Sequence, residues 1–420
     1  MRVEIVTIGD ELLLGFTIDT NAAYLGRALA DIGVEIVRRT TIGDEPAAIA
    51  GAVRDALDRT GAVVTTGGLG PTADDMTKPA IAGLFGRGMH VDEAHVAWMR
   101  TRWRTRYGRE MPETNLNQAR VPDGAELLPN GHGSAPGIWL EDERGRWVAM
   151  LPGVPREARG MCDDALVPRL RDRIASVHGA PAVVRSRTLR TVGIAESVLA
   201  DLIGDAAAAL EDVSVAYLPG VDGVDLRVTT RGVPGPEADA RLDAAVAALR
   251  APLGEAVYGE GTLDLAALVV DQLRARRLTL AVAESCTGGL LGARVTSVPG
   301  SSDVFLGGVI AYANSVKTAL VGVGDDVLAA EGAVSEPVAR RLATGARERT
   351  GAAVGVGITG VAGPGGGTPE KPVGMVWVAV DVSGTVDAVR LMLWGNREEI
   401  RFRATQSALD MIRLRSVPRA

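Results

Sequence analysis

Three short apolar segments of this chain each run into a glycine-rich turn. Ala62–Thr66 leads into Gly67-Gly68, Leu278–Ala283 into a turn that ends at Gly288-Gly289, and Ala352–Thr359 into Gly360–Gly367. Each segment has the length and apolar character of a buried β-strand. Strands that alternate with helices form parallel sheets, which bind ligands beyond the carboxyl ends of their strands. The pattern therefore predicts an α/β protein whose sites lie in these turns.

The length of 420 residues favours about three domains. We expect a parallel-sheet α/β domain over residues 1–175, a small α+β connector over 176–256 and a second α/β domain over 257–420. Hydrophobic residues make up 46% of the chain and charged residues 23%. This composition is ordinary for globular protein, so each domain can build its own core.

Charge and apolar patterning exclude some partners. The formal net charge of −7 offers no electrostatic footprint for nucleic acid. Residues 92–109 combine arginines with Trp98, Trp103 and Tyr107, which is typical either of a surface that grips single strands or of an amphipathic helix. No apolar run approaches the ~20 residues of a membrane span, and charges occupy the N-terminal residues where a signal peptide would be apolar. We therefore expect no membrane partner. Since only two cysteines occur, far apart in the sequence, we also expect a reduced, cytoplasmic protein.

The first segment has a β-α-β-α-β order that ends in a loop with two acidic residues. The predicted strands are Val3–Ile8, Val34–Thr40 and Ala62–Thr66, and the loop continues from Gly67 to Pro79. Thr77 is the expected N-cap of the next helix, because Pro79 suits a first turn. Asp74 and Asp75 thus stand at the carboxyl end of a strand, where carboxylates can hold Mg²⁺. A tight turn followed by an acidic helix start explains the same residues.

This segment resembles a known family. Gly67-Gly68-Leu69-Gly70 with Asp75-Met76-Thr77 is similar to molybdopterin-binding domains of the MoaB/MogA type. The version of that domain found in CinA proteins is indicated by further motifs: Gly9–Gly15, Asp19-Thr20-Asn21, Pro112–Asn115, Gly133–Gly137 and Leu151–Pro155. The resemblance implies metal-dependent hydrolysis of ADP-ribose, or a relic of it, with Asp44, Asp74 and Asp75 as candidate ligands of a divalent metal such as Mg²⁺.

The middle segment predicts a small α+β unit similar to a KH domain. Its Gly220–Gly223 turn joins two predicted strands, whereas a phosphate-gripping KH loop joins two helices, and it carries the acidic Asp222. We therefore expect a spacer or dimerisation element that does not bind RNA.

In the third segment, Ser285 and Cys286 stand at a strand-to-helix turn. Such a turn can present a nucleophile beside free backbone N–H groups. All four histidines of the chain lie at or before His178, so a Ser–His–Asp triad within this domain is excluded. A serine nucleophile here needs a different base. Cys286 is a rival nucleophile with no histidine to activate it.

The lysine count points to a base. Only three of the 45 Lys and Arg residues are lysines, namely Lys78, Lys317 and Lys371. Unlike arginine, a buried lysine can lose its proton and act as a base. Lys317 follows the next predicted strand, with Tyr312 just before it, so a Ser285–Lys317 dyad with a tyrosine helper is the most economical arrangement. A Ser285 that caps a helix and a Lys317 that is solvated remain alternatives.

The third segment resembles the CinA C-terminal domain, also called PncC. The similar motifs are Ala283–Gly289, Gly300-Ser301-Ser302, Tyr312-Ala313-Asn314 with Lys317, Gly332–Glu336, Gly360–Gly367 and Lys371–Gly374. The resemblance implies deamidation of nicotinamide mononucleotide (NMN), without a cofactor, by Ser285, Tyr312 and Lys317. Further expected contacts to the oxyanion or the substrate are Thr287, Gly288, Gly289, Ser301, Asn314, Gly363 and Gly365.

The resemblance leaves other functions open. The first alternative is a metal-dependent ADP-ribose pyrophosphatase in which only the N-terminal domain is active. The second is a non-enzymatic role in DNA uptake. The family also suggests a homodimer whose ligands are small nucleotides, although the sequence indicates no interface.

Overall fold

We describe a computed structural model that covers residues 1–72, 74–176 and 182–416. His178 lies outside the described residues. The chain divides into two compact units, which are Met1–Arg185 with Thr230–Arg241, and Ser186–Thr229 with Leu242–Ala420. Within the described ranges, no helix is long and apolar enough to cross a membrane.

The first unit contains a six-stranded sheet with helices on both faces. Its elements are β1 (Arg2–Ile8), α1 (Asp10–Leu13), α2 (Thr20–Ala30), β2 (Glu35–Ile42), α3 (Pro46–Thr60), β3 (Ala62–Thr66), α4 (Thr77–Leu84), β4 (Met89–Val91), α5 (Glu93–Tyr107), β5 (Arg120–Pro122), β6 (Glu126–Leu128), β7 (Gly137–Glu141), β8 (Trp147–Leu151), α6 (Pro155–Met161) and α7 (Val167–Ala175). The strand order is β2-β1-β3-β8-β7-β6. Pairing is parallel from β2 to β8 and antiparallel beyond it, which confirms the predicted α/β architecture.

Alternating side chains of β1 pack on opposite faces of this sheet. Val3 and Ile5 join one apolar cluster, while Val6 and Ile8 join the other. Glu4 is fully buried, and its two carboxylate oxygens accept hydrogen bonds from the guanidinium of Arg59 at 2.7 and 2.9 Å. The bidentate contact compensates the buried charge and ties α3 to the central strand.

The loop after β3 corrects one expectation. Thr77 is the first residue of α4 and does not cap it; its hydroxyl donates to the carbonyl of Gly67 at 2.9 Å and closes the loop. Lys78 is buried, and its amine donates to the carbonyls of Asn117 and Gln118. Burial, opposed by Asp75 and reinforced by Arg120, lowers the pKa of Lys78 to about 8. This lysine is a structural tie to the segment before β5.

α5 is the amphipathic helix that one interpretation of residues 92–109 predicts. Val96 and Met99 are buried against Ala119, while the arginines of the helix remain at least partly exposed. The side chain of Asp92 caps the helix by accepting from the N–H of His95 at 2.7 Å.

The connector comprises β9 (Ala182–Thr191), α8 (Glu196–Ala208), β10 (Val213–Pro219), β11 (Val224–Pro234), α9 (Gly235–Leu253) and β12 (Val257–Glu260), with strand order β10-β11-β9-β12. The turn at residues 220–223 joins β10 to β11, as predicted. Asp222 in this turn pairs with Arg190, and its carbonyl accepts from the side-chain amide of Gln406. The turn is therefore engaged within the protein.

The C-terminal domain contains α10 (Leu265–Arg276), β13 (Leu280–Glu284), α11 (Leu290–Thr296), β14 (Phe305–Ile310), α12 (Asn314–Val321), α13 (Asp325–Glu331), α14 (Glu336–Thr350), β15 (Val354–Gly360), β16 (Met375–Val382), β17 (Thr385–Met392) and α15 (Arg397–Arg415). The strand order is β14-β13-β15-β16-β17. β14, β13 and β15 run parallel, and β16 and β17 are antiparallel. The last strand, α12 and α13 were not predicted.

Two glycines of β15 let α14 lie close to this sheet. A Cβ atom at Gly355 would stand 2.1 Å from the carbonyl oxygen of Ala343, and one at Gly357 would stand 2.2 Å from that of Ala339. Every larger side chain would collide with the helix backbone. The opposite face of β15 carries valine and isoleucine side chains into the main apolar cluster.

Candidate active site

Ser285 lies directly beyond the carboxyl end of β13, between two parallel neighbours. Its N–H donates to the carbonyl of Ile358 in β15 at 2.9 Å, which holds the backbone against that strand. The side chain is 9% exposed. Because β13, β14 and β15 are parallel, the segments that follow them meet at the same edge of the sheet. This explains why distant motifs converge on Ser285.

Glu284 fixes the turn that follows Ser285. Its side chain is 1% exposed, and its carboxylate accepts from the N–H groups of Gly289, Leu291 and Gly292 at 3.1, 3.0 and 2.8 Å. A carboxylate at the first turn of a helix satisfies orphan N–H groups and favours the helix dipole. Glu284 therefore holds α11 and the nucleophile turn in one geometry.

These contacts decide which amides remain for an oxyanion. The N–H of Gly289 is engaged by Glu284, and that of Gly288 donates to the carbonyl of Ser285 at 3.1 Å. In the described part of the chain, the N–H groups of Cys286 and Thr287 donate to no backbone carbonyl. The available donors are thus these two amides, which belong to the same Cys286–Gly289 turn as the two engaged glycine amides.

Lys317 is the buried amine of this site. Its side chain, on α12, is 1% exposed, and Nζ donates to the carbonyl of Tyr312 at 2.9 Å. Burial lowers the pKa of Lys317 below its ordinary value of 10.5. Burial also raises the pKa of the Cys286 thiol to about 12, so this thiol is uncharged at neutral pH and offers Lys317 no counter-charge.

Two arginines at the start of α15 connect the segments around Ser285. Arg397 donates to the hydroxyl of Tyr312 at 3.1 Å and to the carbonyl of Gly363 at 2.6 Å. Arg401 donates through two nitrogens to the carbonyl of Thr287, the shorter bond being 2.7 Å. The sequence interpretation missed both. For Arg397, the first residue of α15, a signal was available, because a cation in the first turn opposes the helix dipole and needs another reason to be there.

The remaining expected residues fall into two groups. Thr287 is fully buried in the nucleophile turn with no hydrogen-bond partner for Oγ1 among the described residues, Asn314 begins α12, and Gly363 and Gly365 follow β15. Ser301, in contrast, precedes β14 at the amino end of the strand, whereas Ser285 follows the carboxyl end of the neighbouring β13. Ser301 therefore lies at the opposite end of the parallel strands from Ser285, and the structure does not bring the two serines together.

Ser285 and Lys317 both follow the carboxyl ends of neighbouring parallel strands, so a candidate nucleophile and a candidate base share one edge of the sheet. No hydrogen bond joins Ser285 Oγ to Lys317 Nζ within the described residues, and Tyr312 is 60% exposed. Catalytic hydrogen bonds often form only when substrate binds, so a dyad does not require this bond in the free protein.

A second candidate site is an acidic cavity in the first unit. It has a volume of about 440 Å³ and is lined by the glycine-rich loop after β3 together with Glu11, Asp44, Asp74 and Asp75. Burial raises the pKa of Asp44, and the neighbouring carboxylates of Asp10, Glu11 and Asp74 reinforce this direction, against a hydrogen bond from the backbone of Asp10. Such crowding of acids favours a cationic ligand or a proton.

These carboxylates do not form a ready metal site. Both carboxylate oxygens of Asp75 accept hydrogen bonds within the loop. The donors are the N–H of Gly70 at 2.7 Å and the N–H and hydroxyl of Thr72 at 2.8 and 2.6 Å. Across residues 1–72, 74–176 and 182–416, no three His, Cys, Asp or Glu side chains lie where one metal ion could be held. Asp75 is a loop residue here, and Asp44 and Asp74 alone do not complete a coordination shell.

Comparisons with known proteins match three successive segments of this chain. Three family models match in order: a probable molybdopterin binding domain over residues 4–172, the KH domain of damage-inducible protein CinA over 186–259 and the CinA C-terminal domain over 262–415. The fold and these matches define a chain that joins a molybdopterin-binding type domain to a CinA C-terminal domain through a KH-like connector.

The full-length relatives are consistent with that definition. A CinA-like protein of Gemmatimonas aurantiaca is 62% identical over 98% of this chain and 96% of its own length. One of an Anaeromyxobacter species is 45% identical over 99% of both. The structure of a competence/damage inducible protein from Agrobacterium tumefaciens is 39% identical over 36% of this chain and 92% of its own, with a TM-score of 0.35. The chain belongs to the CinA family.

Proposed function

We propose that the C-terminal domain hydrolyses the carboxamide of NMN, giving nicotinate mononucleotide and ammonia. The observation that carries this proposal is the burial of Lys317 at the sheet edge that also presents Ser285. An amine that burial biases towards its neutral form can accept a proton, and this domain contains no histidine to do so. The resemblance to PncC supplies the substrate.

In the proposed reaction, Ser285 Oγ attacks the carboxamide carbon while its proton passes to Lys317 Nζ. The oxyanion accepts from the N–H groups of Cys286 and Thr287, each good donor being worth about 3–4 kcal/mol. Collapse expels ammonia, which takes the proton back from Lys317 and leaves an acyl ester on Ser285. Water, deprotonated by Lys317, then attacks the ester and releases the nicotinate product. Tyr312 is a second route for the proton.

The substrate's own charges match the groups around Ser285. The pyridinium ring makes the carboxamide carbon more electrophilic. The phosphate of NMN is an anion that Arg397 can bind with the nitrogens of its planar guanidinium. Arg397 already contacts the loop that contains Gly363 and Gly365, so this loop is the proposed second wall of the phosphate site.

The direct test is release of ammonia from NMN by the full chain, with a chelator present and no metal added. We expect turnover in the wild-type protein and in Lys371→Arg, a surface control whose amine binds the carbonyl of Glu331. We expect none in Ser285→Ala. Equal turnover in Ser285→Ala would refute a Ser285 ester.

A second candidate function is hydrolysis of ADP-ribose by the N-terminal domain, favoured by the acidic cavity around Asp44. Since these residues do not form a metal site alone, no step is assigned to a metal. Mg²⁺-dependent release of AMP from ADP-ribose tests this activity, and Asp44→Asn should abolish it. Asp75→Ala is a poor variant for this purpose because it removes the bonds that shape the loop. Release of AMP that is unchanged in Asp44→Asn would contradict the role of the cavity.

We propose that the connector is a spacer or dimerisation element and does not bind RNA. We also propose that the protein is a homodimer whose ligands are small nucleotides. The engagement of Asp222 with Arg190 and Gln406 supports this. Light scattering on the intact protein tests the dimer, and a monomeric mass would contradict it. A non-enzymatic role in DNA uptake has no supporting observation in the site geometry.

A further inference from the structure

A cavity beside α5 combines basic and aromatic side chains that neither activity above uses. We call it the α5 cavity; it has a volume of about 210 Å³. Its central residues are Arg102, Trp103, Arg106 and Tyr107 from α5, and Arg156 and Glu157 from α6. Helical spacing of three and four residues places the α5 members on one face.

The cavity has a surplus of positive charge in an acidic protein. Three guanidinium groups and one carboxylate line it, while the whole chain carries a net charge of −7. Within the described ranges, none of the three arginines forms an ion pair with a carboxylate of the protein. Arg102 lies over the ring of Trp98 at 5.3 Å, and Arg106 over that of Tyr107 at 5.5 Å. Guanidinium groups held this way keep N–H donors for an anion.

On the α6 side of the cavity, hydrogen bonds within the protein fix the positions of the lining side chains. Arg156 donates to the carbonyl of His132 at 2.7 Å. The carboxylate of Glu157 accepts from the side-chain amide of Asn130 at 2.7 Å. A Cβ atom at Gly133 would stand 1.8 Å from this carboxylate, so a larger residue at that position would displace the Glu157 side chain. This gives a physical reason for the glycine that opens the Gly133–Gly137 motif.

The aromatic side supplies a flat apolar surface with an unused donor. The rings of Trp103 and Tyr107 lie 4.6 Å apart with an interplanar angle of 45°. The indole N–H of Trp103 is buried and has no acceptor within the part of the chain that the structure describes. Buried donors normally have a partner, so this indole N–H is a donor that the described part of the protein leaves unsatisfied.

We infer that the α5 cavity binds a nucleoside monophosphate. The phosphate lies among Arg102, Arg106 and Arg156, and the base packs against Trp103 and Tyr107, since stacking plus charge is how proteins hold nucleotides without reading a duplex. Glu157 accepts from a ribose hydroxyl. The volume suits one nucleoside unit, and the inference is independent of the amidase proposed for the other domain.

Isothermal titration of the full chain with AMP tests this site, with adenosine and ribose 5-phosphate as half-ligands. We expect Arg106→Gln and Arg156→Gln each to weaken AMP binding by about tenfold or more, as for a lost charge-assisted hydrogen bond. Arg100→Gln removes the same charge from an exposed position on α5 outside the cavity. This control, and Asp44→Asn in the acidic cavity, should bind AMP as the wild type does.

Three outcomes would overturn the inference. They are no AMP binding at millimolar concentration, equal weakening by Arg100→Gln and Arg106→Gln, and loss of binding in Asp44→Asn. Ribose 5-phosphate that binds as tightly as AMP would refute the role of the aromatic wall. Circular dichroism of each variant verifies that the fold is retained.

Discussion

The amine of Lys317 donates a hydrogen bond to the backbone carbonyl of Tyr312 at 2.9 Å, in a position where the side chain is almost fully buried. A neutral amine can make this bond and still offer its lone pair to a second group. A protonated amine in the same place would carry a charge without a counter-ion among the residues that the structure describes. The bond therefore suits a base better than a structural cation.

The pH dependence of NMN hydrolysis should report on Lys317. Because burial lowers its pKa below 10.5, the neutral base forms at lower pH than for a free lysine. The value of kcat/KM should thus rise with pH and level off below pH 10.5. Lys317→Arg remains protonated, so its rate should fall by about 10²–10⁴-fold with no rising limb. Initial rates of ammonia release across pH decide this, and a variant that keeps the rise contradicts it.

Glu284→Gln should reduce turnover more than substrate binding. In the wild type, both carboxylate oxygens of Glu284 accept from backbone N–H groups. The glutamine amide keeps one acceptor oxygen, but its NH₂ group faces other N–H donors, so the turn after Ser285 loosens. We expect kcat to fall by about tenfold or more, with KM nearly unchanged. Steady-state kinetics beside Glu331→Gln, an exposed acid in the same domain, provide the measurement. A lower melting temperature with unaltered kcat would reduce Glu284 to a purely structural role.

Arg397→Gln should affect phosphorylated substrate alone. We expect KM for NMN to rise by about tenfold or more, the scale of one charge-assisted contact. Nicotinamide riboside, which has the same carboxamide and no phosphate, should be hydrolysed equally by variant and wild type. Arg403→Gln, whose guanidinium stacks on Trp394 of the same domain, is the matched control. An equal loss with both substrates would show that Arg397 acts through Tyr312 and not on phosphate.

Gly357→Ala should destabilise the protein by about 1–3 kcal/mol, because the new methyl group collides with the backbone of α14. Gly204→Ala is the contrasting substitution, in the interior of α8 with open space around it. It should stabilise by about 0.5–1 kcal/mol. Denaturant unfolding of both variants tests the packing, and similar effects at the two positions would contradict it.

Much of the candidate site follows from the sequence because local rules apply to it. A buried strand that ends in Glu284-Ser285 predicts a turn at a sheet edge, and parallel pairing brings Tyr312, Lys317 and Gly363 to that edge. Glycines 67 and 68 likewise mark the loop of the acidic cavity. In each case the information lies within a few residues of the site.

Other parts of the site could not be predicted from the residues next to them in the sequence. Arg397 and Arg401 reach the site from the last helix of the chain, and no periodicity indicates where that helix packs. Ser301 sits in a motif of the same family, yet its strand carries it to the opposite edge.

The central claim is that Ser285, and not the neighbouring thiol, forms the ester. Intact-protein mass spectrometry after rapid quenching of NMN turnover, followed by peptide mapping, tests it most directly. The account predicts a nicotinoyl adduct on Ser285 in the wild type and in Cys286→Ala, and no adduct in Ser285→Ala. Cys286 is not expected to react, because burial raises the pKa of its thiol to about 12 and keeps it protonated at neutral pH. An adduct on Cys286, or ammonia release that survives in Ser285→Ala, would contradict it.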